Sequence, residues 1–233
     1  DDIPPWYTPK GLSDMTLVFE SRFESGNLRR AVQVYPHEYD LILRPDVNTR
    51  GHTQWFFFAI MNSRKGMKYR LNLINLLKED SLYGSGGMMP LVHSEKTFRA
   101  CGVGWHRSAE RVAYYPNQIR RSRGKKYYTL TFTIVPEHDY DLIHVAHCYP
   151  FTYTDLQRQL KALEDDPLRR HRLRREVLCT TLAGNVCDLL TISSPPFPPA
   201  WTGPLSRDDR DNWGGGGGYG GGGYGGGGGG KGE

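Results

Sequence analysis

At 233 residues, with 28 glycines and a formal charge of +5, the chain has room for one large domain or two small ones. The charge excess is too small to demand nucleic acid, and no apolar run approaches the ~20 residues of a membrane span, so neither partner is expected. More than half of the glycines lie between Gly214 and Gly230, which leaves an ordinary globular composition up to about residue 194 and a foreign tail beyond it.

The first residues, Asp1 to Asp14, are polar and Pro-rich and read as an extended leader. They hold no apolar signal core, which makes the cytosol the expected compartment. From Thr16 the pattern is strand after strand. TLVFESRF alternates apolar and polar, Ser25-Gly26-Asn27 is a turn, and LRRAVQVY returns. Tyr39–Leu43 is a further short strand. Trp55–Met61 is the most apolar run, and its length and polar flanks predict a central strand buried on both faces. MKYRLNLINL sets Tyr69, Leu71 and Leu73 against Arg70 and Asn72, a clear period of two. The glycines of SLYGSGGMMPL predict a loop. Cys101–Trp105, Arg111–Tyr115, Tyr127–Val135 and Leu142–Tyr149 are expected as further strands. Many short strands closely spaced by turns predict an antiparallel sandwich or barrel.

The character changes at Pro150. TYTDLQRQLKAL predicts a helix capped by Thr154 or Asp155, with Leu156, Leu160 and Leu163 on one side. Pro167 at N1 predicts a second, strongly cationic helix over LRRHRLRREV. Two apolar strands follow, VLCTTL and VCDLLTI, around Ala183-Gly184-Asn185, and a helix leading into strands is how an α/β domain begins. The boundaries expected are a leader over 1–15, an antiparallel β-sandwich over 16–149, the truncated start of an α/β domain over 150–194, and a disordered Pro/Gly-rich tail over 195–233.

Read in order, FESRFESGNLRRA, YDLILRPDVNTRGHTQWFFFAIMN, YRLNLINL, DSLY, GMMPLVHS, GWHRSAE, YYTLTFTIV, AHCYPFTYTDLQRQL and VLCTTLAGNVCDLLTI resemble the cytosolic carboxypeptidase family over roughly residues 16–192. The resemblance implies an N-terminal antiparallel β-sandwich followed by a zinc metallocarboxypeptidase domain of α/β type. It implies zinc as the cofactor of the full-length family. It also implies removal of C-terminal or side-chain glutamates from proteins such as tubulin, and a cytoplasmic, microtubule-associated location.

Catalytic zinc needs three protein ligands and an open water position. The family supplies them from His-x-x-Glu after the strand matching LLTI and from a distant His, with an Arg for the substrate carboxylate and a Glu as general base. His-x-x-Glu does not occur in this sequence, and Ile192 leads into a Pro- and Gly-rich stretch. A truncated member is therefore expected, with no catalytic residue, no metal ligand and no bound zinc of its own. The alternative is a non-catalytic binding or regulatory module for tubulin or a partner protein.

The remaining polar candidates read as structural. His144 and His147 are three apart, near Asp139 and Asp141, but LIHVAHCY reads as a strand, which would aim them at opposite faces. His138 falls in a turn. His106 and Glu110 flank a turn in GWHRSAE, where the resemblance to the family's non-catalytic domain implies a structural hydrogen bond, and His52 reads as a strand-entry residue. Arg120–Lys126 reads as an exposed hairpin tip and Leu168–Arg175 as a cationic helix; solvated faces are the first reading of both, and long-range attraction of acidic tails is the second. Cys101, Cys148, Cys179 and Cys187 lack C-x-x-C spacing, which argues against a zinc ribbon, and each is expected to be a reduced, buried thiol.

Overall fold

The computed structural model describes residues 7–49, 51–83, 87–121 and 124–194, so the expected tail over 195–233 lies outside the described residues. Two five-stranded sheets face each other. The first has the order β1 (Val18–Glu20), β4 (Phe57–Met61), β10 (Ile143–Ala146), β6 (Leu91–Ser94) and β7 (His106–Arg107). The second runs β2 (Leu28–Tyr35), β3 (Glu38–Leu43), β5 (Tyr69–Leu76), β9 (Lys126–Ile134) and β8 (Glu110–Arg120). Neighbouring strands are antiparallel except β3 and β5, which are parallel in the register Glu38↔Arg70 to Leu41↔Leu73.

The core lies between the sheets. Leu41, Leu71, Leu73, Leu130 and Phe132 from one sheet meet Phe58, Ile60 and Val145 from the other, each 0 % exposed. Burying each such side chain stabilises the fold by roughly 1.5–3 kcal/mol. The period of two in β5 sends Tyr69, Leu71 and Leu73 into this core, and Asn72 to the opposite face, where its amide donates to Glu38 and Asp40. The apolar run in β4 is explained by its place between β1 and β10, where Phe57, Phe58, Ala59 and Ile60 are all buried. Pro116 is tolerated because β8 is an edge strand.

The FESRFESGNL segment fastens the two sheets at one corner. Asn27 pairs with β4 through both its backbone and its side chain: its N–H donates to Phe57 O at 3.2 Å, and its amide bridges Trp55 O and Phe57 N. Trp55 Nε1 donates to Ser25 O at 2.8 Å. Gly26 is required by close approach, since a Cβ there would sit 2.3 Å from Ser21 O.

Four expectations are corrected. Cys101–Trp105 is not a strand. Glu95–Cys101 forms helix α1, capped by Ser94, whose Oγ accepts from Thr97 N, and stopped by Gly102 at φ 74°. The helix TYTDLQRQLKAL is present as α2 (Tyr153–Asp165), but its cap is Thr152, in a reciprocal box with Asp155. The second helix does not form. Arg170–Arg172 is a single 3-10 turn, and Leu173 already pairs with Ile192 in a hairpin of β11 (Leu173–Thr180) and β12 (Val186–Ile192). Cross-strand pairing here overrides the helix propensity of the arginines. The cysteines are free but not buried: Cys101, Cys148 and Cys179 are exposed and Cys187 is half-buried. They sit at a helix end, in a turn and on the hairpin rather than between the sheets. In addition, β6 begins at Leu91, the last residue of the expected loop, and continues to Ser94, where no element was expected.

Candidate functional site

The structure separates the two histidines of LIHVAHCY, as strand geometry requires. His147 turns inward beside Trp55, Phe56 and Tyr83, and its Nδ1 is 2.7 Å from Tyr83 Oη. Burial pushes the Tyr83 hydroxyl well above the usual phenol range, and it holds the His147 imidazole below its ordinary value, with Arg107 and Lys78 adding to the second effect. The two form a packed polar pair.

His144 lies on the other face of its sheet. β10 pairs with β6 so that His144 stands directly opposite His93. Two residues past His93 the chain has turned into α1, and Glu95 Oε1 comes to 3.9 Å from His93 Nδ1. Ligand atoms of His93, Glu95 and His144 all lie within 4.8 Å of one another. Trp105 packs on both imidazoles, with ring centroids 5.4 Å from His93 and 6.3 Å from His144. Burial, and then the neighbouring His93, lower the His144 pKa. Along the chain His144 has His147, Asp139 and Asp141 close by. Its real companion, His93, is reached through strand register.

The other candidates hold the fold together. Asp139 accepts from Lys65 N at 2.8 Å, and buried Asp141 accepts from Ser94 Oγ and Lys96 N at the start of α1. His106 Nδ1 lies 3.0 Å from Gly104 O, the expected structural contact, and Glu110 pairs with Lys68. His138 is in a bend, and His52 lies just before β4, its carbonyl accepting from Asp46 N.

The cationic stretch Leu168–Arg175 is partly neutralised by its own neighbourhood. Arg169 pairs with Asp166 and Arg174 with Glu176. Arg175 joins α2 to the hairpin: its Nε donates to Asp188 Oδ1 at 2.8 Å, and its guanidinium also meets Glu164 and Gln157. Gln157 Nε2 donates to the second Asp188 oxygen at 2.8 Å. The Arg175 guanidinium, and then the Gln157 amide, hold the Asp188 carboxyl below the usual range. The other basic run remains open: Arg120, Lys125 and Lys126 are exposed at the β8–β9 tip, where Arg120 pairs with Lys126.

The fold is shared with solved metallocarboxypeptidase structures. A metallocarboxypeptidase from Burkholderia cenocepacia superposes with a TM-score of 0.53 at 20% identity, over 79% of this chain and 41% of that one. The family description "Cytosolic carboxypeptidase N-terminal domain" matches residues 19–148, more than half of the chain, and the chain belongs to this family. It is 49% identical over 180 residues to cytosolic carboxypeptidase 2 of Danio rerio, and 44% identical over 192 residues to that of Homo sapiens. The chain matches 25% and 21% of the length of those relatives. His-x-x-Glu, the zinc-ligand motif that the resemblance implies, does not occur in the 233 residues. No helix among the described residues is long and apolar enough to cross a membrane.

Proposed function

We propose that this chain is the non-catalytic β-sandwich of a cytosolic carboxypeptidase together with the opening helix and hairpin of its peptidase domain, and that it has no peptidase activity by itself. The parent activity in this reading is zinc-dependent removal of C-terminal or side-chain glutamates from proteins such as tubulin, in the cytoplasm and on microtubules. The observation that carries it is the family match over residues 19–148, with similarity to the human relative extending over 192 residues. Hydrolysis of a peptide bond by the family's zinc draws on His-x-x-Glu and a distant His, and His-x-x-Glu does not occur in the 233 residues. The test is glutamate release from a glutamate-tailed peptide. The expected result is none for this chain and release for a chain continuing into His-x-x-Glu. Release by this chain alone overturns the reading.

A second reading, as a binding or regulatory module, is favoured by the exposed cations at the β8–β9 tip. Acidic tubulin tails would be attracted there at low salt and released as salt screens the charges. Co-sedimentation with microtubules is expected to fall with ionic strength and with Arg120→Glu plus Lys126→Glu. Absence of binding at low salt removes this reading.

A further inference from the structure

We infer that His93, Glu95 and His144 form a site for a divalent transition metal on the outer face of the first sheet. Two imidazoles and one carboxylate, from β6, the first turn of α1 and β10, already converge within 4.8 Å. A metal holding nitrogen and oxygen at ~2.0–2.2 Å draws its ligands closer than this, and small side-chain rotations cover the difference.

The backbone fixes the donors before any ion arrives. Register places His93 and His144 opposite each other on adjacent strands. Glu95 is held by the closed start of α1: its own N–H donates to Leu142 O at 3.1 Å, while Ser94 is locked between Thr97 N and the Asp141 carboxylate. The carboxylate divides its work. Oε1 faces His93, and Oε2 faces Arg99 at 3.7 Å, so one oxygen is oriented and the other is turned to the imidazoles. Such outer contacts tune metal sites strongly.

The surroundings suit a metal of intermediate softness. Phe23, Phe57 and Trp105 wall His144, and Phe98 and Trp105 wall His93, whose side chain is 14% exposed. Two nitrogens and one oxygen select zinc, nickel or copper(II) over magnesium and calcium, which require a shell of oxygens. Three donors leave coordination positions for water or for a donor from a partner.

The experiment uses the full chain, stripped with a chelator and titrated with zinc against a chromophoric competitor. About one equivalent is expected to bind. His93→Gln and His144→Gln are each expected to weaken it about tenfold or more, the scale reported for perturbing metal shells. His147→Gln, on the opposite face, should leave it unchanged. Copper(II) should quench the fluorescence of Trp105, and the quenched fraction should fall in Trp105→Phe. Cobalt(II) should give visible absorption without a thiolate charge-transfer band. Should a histidine variant misfold, Glu95→Gln, at the partly exposed position, supplies the same reading. Three results would overturn the site: no stoichiometric binding, affinity unaffected by His93→Gln and His144→Gln, or loss of binding in Cys179→Ser plus Cys187→Ser.

Discussion

The sandwich and the α2–hairpin segment are built from similarly apolar strands, yet they reach very different degrees of order in their packing. Leu71, Leu73, Phe58 and Phe132 are 0 % exposed in the sandwich, whereas Val177, Leu178, Leu182 and Ile192 of the hairpin are 67%, 60%, 70% and 74% exposed. The sandwich strands have a second layer facing them. The hairpin has α2 on one side, with Leu160 as the buried residue of that helix, and polar links through Arg175. An apolar strand is stabilised by what covers it, and strand pairing alone leaves its faces to water.

The largest expected effect tests this contrast directly. Leu71→Ala should cost about 2–5 kcal/mol in urea unfolding, because it opens a cavity between the sheets. Leu178→Ala, on the exposed hairpin, should change the same measurement by less than about 0.5 kcal/mol. Equal effects would erase the distinction between the two regions.

Removing residues 151–233 should leave the unfolding transition of the sandwich in place and reduce aggregation, because the exposed hairpin residues go with it. Light scattering and a thermal melt measure both. Loss of the transition would show that the sandwich depends on the segment.

The link between α2 and the hairpin should respond to acid. The Asp188 carboxyl is held below its usual range by Arg175 and Gln157 in the folded state. A depressed folded value means that the contribution is complete above the unfolded value of about 3.9 and is lost as pH falls through the folded one. NMR signals of β11 and β12 should therefore shift in acid, and Asp188→Asn should remove that pH-dependent component. Identical titrations in both proteins would exclude Asp188 as the acid-sensitive link.

The smallest effect concerns the cap of α2. Thr152→Ala removes the side chain that accepts from Asp155 N and should cost about 0.5–2 kcal/mol of local stability. Amide exchange in the first turn of α2 reads this, and unchanged protection would show that the helix start is held by other contacts, such as Thr154 N to Glu24.

Much of the architecture was legible because burial writes a period into the chain. The alternation of Tyr69, Leu71 and Leu73 and the apolar run from Trp55 to Met61 both follow from where those strands sit. The short helix α1 was not legible, since seven residues carry too little periodicity, although Ser94 and Gly102 are recognisable start and stop residues once the helix is known. The arginines of Leu168–Arg175 favoured a helix locally, but pairing of Leu173 with Ile192 claimed them for a strand. The meeting of His93 with His144 was hidden for a different reason. It depends on the register of two strands far apart in the chain, and no local pattern encodes that register.

The route of the chain through the sandwich also limits how the domain can be divided. It passes from β1 to the opposite sheet for β2 and β3, crosses back for β4, leaves again for β5, and continues to alternate through β10. The parallel neighbours β3 and β5 are thus separated by a strand belonging to the other layer. Neither layer is a contiguous stretch of polypeptide, so no single cut yields one of them intact. Excising β4 would unstitch both at once, and the domain should be gained or lost as an indivisible unit, slowly assembled from distant partners.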